Sequence, residues 1–267
     1  MDIGSVSIRG RVREKDEDSV FYHASSVTNG STGEESGLFV LADGMGGGEE
    51  GEIASKIAVD VLKRNAEIIL SGTIEDSKER LVNAVREANM EVISYKHDHG
   101  FSEMGTTITA CVYRDSTIIA TNVGDSRTYL LHDGRISQRT VDHSFVQELV
   151  MNGLITEDQA RVHPRRNEIS NALGFNDDLK PDVYVWKAFN EDYVLLCCDG
   201  MWEPIHHLIG EISAMKGSCM EKVRMMAELA NEMDGSDNIS AILFSVNSRN
   251  DFDRFIRKPT LSVPQRT

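Results

Sequence analysis

Four carboxylates sit where short apolar runs begin or end: Asp18 before Ser19 to Tyr22, Asp43 after Leu38 to Ala42, Asp199 after Tyr193 to Cys198, and Asp237 before Asn238 to Val246. One Asp at a strand edge is ordinary turn chemistry, because Asp tolerates turn dihedrals and caps neighbouring N–H groups. The recurrence of the pattern points instead to carboxylates converging at one end of packed β-sheets. Carboxylates brought close repel one another and must be neutralised by protons or cations. A site built of oxygen donors suits Mg2+ or Mn2+ rather than a thiolate-loving metal.

The elements that must position these residues group in blocks instead of alternating as βαβ units. Val6 to Ile8, Ser19 to Tyr22 and Leu38 to Ala42 read as short strands. Ile53, Ile57 and Val61, then Leu81, Val85, Ala88 and Val92, repeat at helical spacing and predict two successive amphipathic helices. Thr106 to Tyr113, Thr117 to Val123 and Arg127 to Leu131 alternate between turn-like Arg114-Asp115-Ser116 and Gly124-Asp125-Ser126, with Asp133-Gly134 turning the chain afterwards. This stretch predicts an antiparallel meander. A strand over Tyr193 to Cys198, a last helix through Val223, Met226, Leu229 and Met233, and a strand from Ile239 to Val246 complete the body. Blocks of this kind predict an α+β fold with sheets packed together and helices outside.

Composition bounds the function. At 267 residues and 40% hydrophobic content the chain buries a full core in one large layered domain, or at most two. The formal charge of -15 argues against binding nucleic-acid phosphates or an anionic membrane, and part of it fits a metal site. No run approaches the ~18 to 20 apolar residues of a membrane span, and the polar start lacks a signal-peptide layout, so a cytoplasmic protein is expected. Cys111, Cys197, Cys198 and Cys219 lie mostly in apolar segments without zinc-finger spacing and read as buried, reduced thiols.

Residues 142–182 stand apart. Ser144 to Gln147 fits a capping box for a helix that Gly153 ends, and Thr156 to Gln159 fits a second box, before the chain runs into His163-Pro164-Arg165-Arg166-Asn167. Such an insert is too small for its own core; it reads as a surface elaboration, or as a substrate-facing flap beside a metal cluster. The expected organisation is therefore a domain over 1–248 with this flap, followed by a basic, flexible tail over 249–267 that holds five basic and two acidic residues.

Several strings, taken in order, resemble the PPM-type (protein phosphatase 2C) metal-dependent Ser/Thr phosphatases, especially their compact bacterial members. They are Arg13 with Glu17 and Asp18, Asp43-Gly44-Met45-Gly46-Gly47 with Glu52 to Ser55, Gly124-Asp125-Ser126-Arg127, Asp142-His143-Ser144, His163-Pro164 with Arg166-Asn167, Ala172-Leu173-Gly174, Cys198-Asp199-Gly200-Met201-Trp202 and Asp237-Asn238. The resemblance spans roughly residues 3–246 and implies an α-β-β-α sandwich of two antiparallel sheets. It further implies that Asp43 bridges two Mn2+ or Mg2+ ions, that the Gly44 carbonyl binds one of them, and that Asp199 and Asp237 complete the other. Glu17 and Asp18 would act mainly through metal-bound waters. Two ions ~3.5–4 Å apart activate a bridging water and stabilise an in-line displacement, so the implied nucleophile is water and no phosphoenzyme forms.

Arg13 is the implied phosphate clamp, since its guanidinium fork matches phosphate oxygens. Asp125 has two readings, a turn cap or a ligand of a third, weaker ion shared with Asp199. His143 and His163 read as flap residues with structural hydrogen bonds, and Trp202 as packing. Met45 stands where some relatives carry a His that could act as general acid; Asp16 and Glu203 also depart from common family residues. The expected function is hydrolysis of phosphoserine or phosphothreonine on proteins, opposing a Ser/Thr kinase in signalling. The alternatives are a catalytically weak, metal-binding module that docks a kinase or regulator, and hydrolysis of small phosphoesters.

Overall fold

The structure is a computed structural model that describes residues 1–27, 34–47 and 49–246. Its architecture is an α+β sandwich of two antiparallel sheets between helical layers. One sheet is ordered β1 (Ile3–Ile8), β11 (Ile239–Ser245), β10 (Tyr193–Cys197), β7 (Arg127–His132), β8 (Arg135–Gln138). The other runs β2 (Asp18–Val27), β3 (Glu34–Met45), β5 (Ile108–Arg114), β6 (Thr117–Val123), β9 (Asp182–Lys187), with β4 (Gly105–Thr106) added beside β3. Helices α1 (Glu49–Arg64), α2 (Ala66–Ile69) and α3 (Ile74–His99) accompany this second sheet, and α6 (Asp199–Ile205), α7 (Ile209–Ala214) and α8 (Cys219–Met233) accompany the first.

The period of two along β3 shows how the core is divided. Leu38, Val40 and Ala42 pack with Val61, Leu62, Leu81 and Val85 of the helices, whereas Phe39 and Leu41 enter the cluster shared with the opposite sheet. Phe39 stacks on Phe244 of β11 with ring centroids 3.8 Å apart, joining the sheets. Continuing the alternation, Asp43 falls on the same inward side as Phe39 and Leu41. Its Cα partner across β2 is Asp18, so one register delivers two carboxylates to one end of the sandwich.

The expected helices over residues 53–61 and 81–92 are α1 and α3. A reciprocal capping box of Thr73 and Asp76 opens α3, and Gly100, with φ +70°, closes it. The expected meander is corrected. β5 and β6 form a hairpin through Asp115 and Ser116, both at positive φ, but β7 leaves for the other sheet and pairs with β10 and β8. The crossing occurs at Gly124, where φ is +103° and a Cβ would meet the Thr107 side chain at 2.6 Å. Alternation of apolar residues reports that a segment is a strand, not which sheet it joins.

Helices α4 (Phe145–Met151) and α5 (Glu157–Arg161) lie in the insert, and neither contains a buried residue. Thr156 and Gln159 form the reciprocal box expected at α5. Ser144 accepts from the Gln147 N–H, while its own backbone belongs to an isolated bridge with Ile169 in place of the return bond of a capping box. The 249–267 tail lies outside the described residues.

Candidate active site

The carboxylate-bearing edges meet at one end of the sandwich: the start of β2, the end of β3, the β6–β7 crossing, the end of β10 and the start of β11. The backbone of Asp43 is held from the β4–β5 junction. Thr107 N–H and the Thr106 hydroxyl donate to Asp43 O at 2.8 and 2.9 Å, and Asp43 N–H donates to Thr107 Oγ1 at 3.1 Å. At Gly44 a Cβ would lie 2.1 Å from Gly51 O and 2.5 Å from Glu17 O, so only glycine lets β3 approach α1 and the Glu17 strand this closely. Glu17 is buried, with Oε2 against Gly51.

Asn238 joins the loop carrying Arg13 and Glu17 to the start of β11. Its amide donates to Arg9 O at 3.0 Å and Lys15 O at 2.8 Å, and its Oδ1 accepts from Glu17 N–H at 2.9 Å. The sequence singled out Asn238 only as the neighbour of Asp237; its anchoring role follows from contacts more than two hundred residues apart in the chain. Arg13 Nη2 in turn donates to Asp237 Oδ2 at 2.8 Å, with the guanidinium about half exposed.

Burial and mutual repulsion set the electrostatics. Asp43 is held well above the usual carboxylate range by burial and by the charges of Asp18, Asp199, Asp125 and Asp237. Burial pushes Asp18 up to about 7 and, with Asp237 and Glu203, does the same to Asp199. Asp125 is likewise raised, by burial first and then by Asp199 and Asp142. Asp43 and Asp199 keep an edge open to solvent, although their charges sit among these neighbours. Asp18 has Ser240 and Cys198 as polar neighbours, yet neither of its carboxylate oxygens has a hydrogen-bond partner of ordinary geometry. A cluster of oxygen donors with orphaned, buried lone pairs fits hard divalent cations, which would neutralise the repulsion and occupy those lone pairs.

Asp125 is fixed by a second network. Trp202 Nε1 donates to Asp125 O at 3.3 Å, and the Arg127 guanidinium covers the Trp202 ring at 3.2 Å. Arg127 is held by Asp142 through Nε, at 2.9 and 3.0 Å, and Nη2, at 2.6 Å. His143 N–H donates to Gly124 O while its Nδ1 accepts from Gly124 N–H, and Nε2 lies 3.4 Å from Asp182. His163 Nδ1 accepts from Arg165 N–H. Both histidines thus make the structural bonds expected of them, and Trp202 both packs and supports the Asp125 turn. A cleft of about 450 Å3 runs from Asp125 between α4, α5, β7 and α6, past Val146, Val150, Arg166 and Glu203.

All the predicted site residues, Arg13, Glu17, Asp18, Asp43, Gly44, Asp125, Asp199 and Asp237, are therefore brought to the same end. Cys198 is the buried, free thiol that its apolar context predicted, and its Sγ also lies within 4.8 Å of an Asp18 and an Asp43 oxygen, a proximity that its place beside Asp199 in the sequence does not reveal.

Known proteins show the same architecture. The family profile described as Protein phosphatase 2C matches residues 2–149. The serine/threonine phosphatase stp of Listeria innocua is 34% identical over 247 residues, covering 90% of this chain and 93% of that protein. The crystal structure of the serine/threonine phosphatase Stp1 from Staphylococcus aureus matches with a TM-score of 0.83 at 29% identity, covering 93% of this chain and 96% of that one. The catalytic domain of the serine/threonine protein phosphatase PstP, solved in complex with 2 manganese ions, matches with a TM-score of 0.76 at 31% identity, covering 90% of this chain and 96% of that one. Sequence and architecture agree that the chain belongs to the protein phosphatase 2C family and is a metal-dependent protein-serine/threonine phosphatase of the PPM type.

Proposed function

We propose that this end of the sandwich hydrolyses phosphoserine and phosphothreonine on proteins by direct attack of water, without a phosphoenzyme. The supporting observation is the carboxylate cluster itself: Asp43 pushed up by burial and four neighbouring aspartates, beside an Asp18 whose two oxygens lack partners of ordinary geometry. Such a site accepts a phosphate dianion only when cations neutralise it. In this reading Asp43, the Gly44 carbonyl, Asp199 and Asp237 would hold two ions of Mn2+ or Mg2+, Glu17 and Asp18 would support them, and Asp125 with Asp199 would hold a weaker third. When bound, the ions supply a nucleophilic water of lowered pKa and offset the charge of the displacement.

The chain's own residues align the reactants. Arg13, anchored by one nitrogen to Asp237, presents its remaining guanidinium donors to phosphate oxygens from a half-exposed position. Thr106 and Thr107 prevent Asp43 from turning away, and Asn238 keeps the Arg13–Glu17 loop against β11. Cys198 is no candidate nucleophile: it is fully buried and its thiol donates to Asn238 O. Residues 1–248 act as the phosphatase domain, and the insert over 142–182 serves as a flap whose cleft receives polypeptide beside the phosphorylated residue. The biological counterpart is a Ser/Thr kinase in the cytoplasm; among the described residues no helix is long and apolar enough to cross a membrane.

Turnover of a phosphothreonine peptide tests the reading. Activity is expected with Mn2+ or Mg2+, to vanish after chelation, and to return when the ion is restored. Full turnover by the metal-stripped protein would overturn it.

A further inference from the structure

Cys198 is the polar group at this end that the proposed hydrolysis leaves unused. Strand parity turns it inward: Cys198 N–H donates to Ser240 O at 3.1 Å, continuing the β10–β11 ladder in which Leu196 faces Ile242. Its Sγ donates to Asn238 O at 3.4 Å and accepts from Ser240 N–H at 3.1 Å. The sulfur, an Asp18 oxygen and an Asp43 oxygen all lie within 4.8 Å of one another. Donors around a tetrahedral ion with bonds of ~2.0–2.3 Å are about 3.5 Å apart, so binding one ion would draw this set closer together. Asp18 is only 9% exposed, and neither of its oxygens has a hydrogen-bond partner of ordinary geometry. Among the described residues, no other His, Cys, Asp and Glu side chains gather three donors this closely.

We propose that Asp18, Asp43 and Cys198 form a binding site for a thiophilic divalent cation, Zn2+ or Cd2+. Sulfur prefers such ions over Mn2+ or Mg2+, which favour oxygen alone. On binding, the Sγ–H bond breaks, the proton leaves to solvent, and a sulfur electron pair forms the metal–sulfur bond; no electrons change hands. The Ser240 N–H bond to sulfur suits the resulting thiolate, and Asn238 O gives up the thiol donor. Occupation takes Asp18 and Asp43 away from the hard-ion centre, so a thiophilic ion blocks the phosphatase by replacement. The donor set stands on its own geometry, whereas this inhibitory consequence rests on the proposed function.

The test titrates the metal-free full chain with Cd2+ and follows the ultraviolet charge-transfer absorption of cadmium bound to thiolate. One equivalent of absorption is expected in the parent and in Cys197→Ala, and its loss in Cys198→Ser. Loss of outer partners already weakens metal sites about 10–100-fold, so removing the sulfur should raise the Cd2+ concentration for half-saturation by about tenfold or more. Cadmium-113 resonance of the parent needs no substitution and distinguishes mixed sulfur–oxygen coordination from oxygen alone, so a Cys198→Ser chain that fails to fold leaves the test intact. All-oxygen coordination in the parent, or absorption that persists in folded Cys198→Ser, overturns the proposal. Mn2+-dependent turnover of the parent is measured separately, so failure of the thiophilic site and failure of the phosphatase reading give different results.

Discussion

At the scale of single residues, the proposed roles separate by which kinetic parameter each should move. Arg13 contacts phosphate in both ground and transition states in this reading, so Arg13→Ala should raise KM by about tenfold, the worth of a charge-assisted hydrogen bond, with a smaller effect on kcat. Asp43→Asn should instead depress kcat and metal occupancy by about a hundredfold or more, beyond what outer partners typically contribute. Arg13→Ala kinetics equal to those of the parent would remove Arg13 from the site. Asp199 and Asp125 form a second contrast. Asp199→Asn should weaken the tight ions together with kcat, whereas Asp125→Asn should leave two tight ions and raise the metal concentration for half-maximal rate. Calorimetric metal titration beside steady-state kinetics separates them. Unchanged turnover and metal dependence in Asp125→Asn would leave that residue as the turn cap supported by Trp202 Nε1.

Among the elements, α4 and α5 of the insert have little packing to lose, since neither helix buries a residue. The insert is attached on both sides: Asp142 and His143 grip Arg127 and Gly124 and so tie the flap to the Asp125 turn, while Leu173 pairs with Thr106 and Gly174 N–H donates to Asn89. Replacing residues 145–168, which carry α4 and α5, by a short linker, with these anchors kept, should reduce phosphoprotein turnover at least about tenfold while an aryl phosphate loses far less, because remote contacts help only a substrate long enough to make them. Equal losses on both substrates in a folded protein would argue against a substrate-selecting flap. Helix boxes and strand alternation made most elements legible in sequence. The exceptions were α2, β8, β9, α6 and α7: α2 and β8 are only four residues long, Asp182 to Lys187 follows a long insert, and Pro204 interrupts the helical pattern.

For the whole molecule, the concentration of buried carboxylates predicts how stability depends on pH. In the metal-free protein, burial raises Asp18 and Asp199 from 3.8 to about 7. Between those values the folded chain binds more protons than the unfolded one, so stability falls as pH rises. The contribution is complete below the unfolded pKa and is lost as pH passes the folded one. Melting of the metal-free chain should therefore decline by several degrees, on the order expected for a few kcal/mol in a domain this large, between about pH 5 and 7.5. Stabilisation by Mn2+ should grow across the same interval, because the ion binds the deprotonated cluster. A metal-free melting temperature that stays level or rises over this range would show that the carboxylates are relieved by other means. The sequence alone determined the placing of carboxylates at the edges of apolar runs, the α+β class and the family, because apolar periodicity and short motifs are local and survive in one dimension. Only the tertiary structure decided that β7 deserts β6 for the opposite sheet, that Asn238 anchors the Arg13 loop, and that Cys198 faces Asp18 and Asp43. Those outcomes depend on sheet choice, register and packing between segments far apart in the chain, and spacing along the chain carries no record of them.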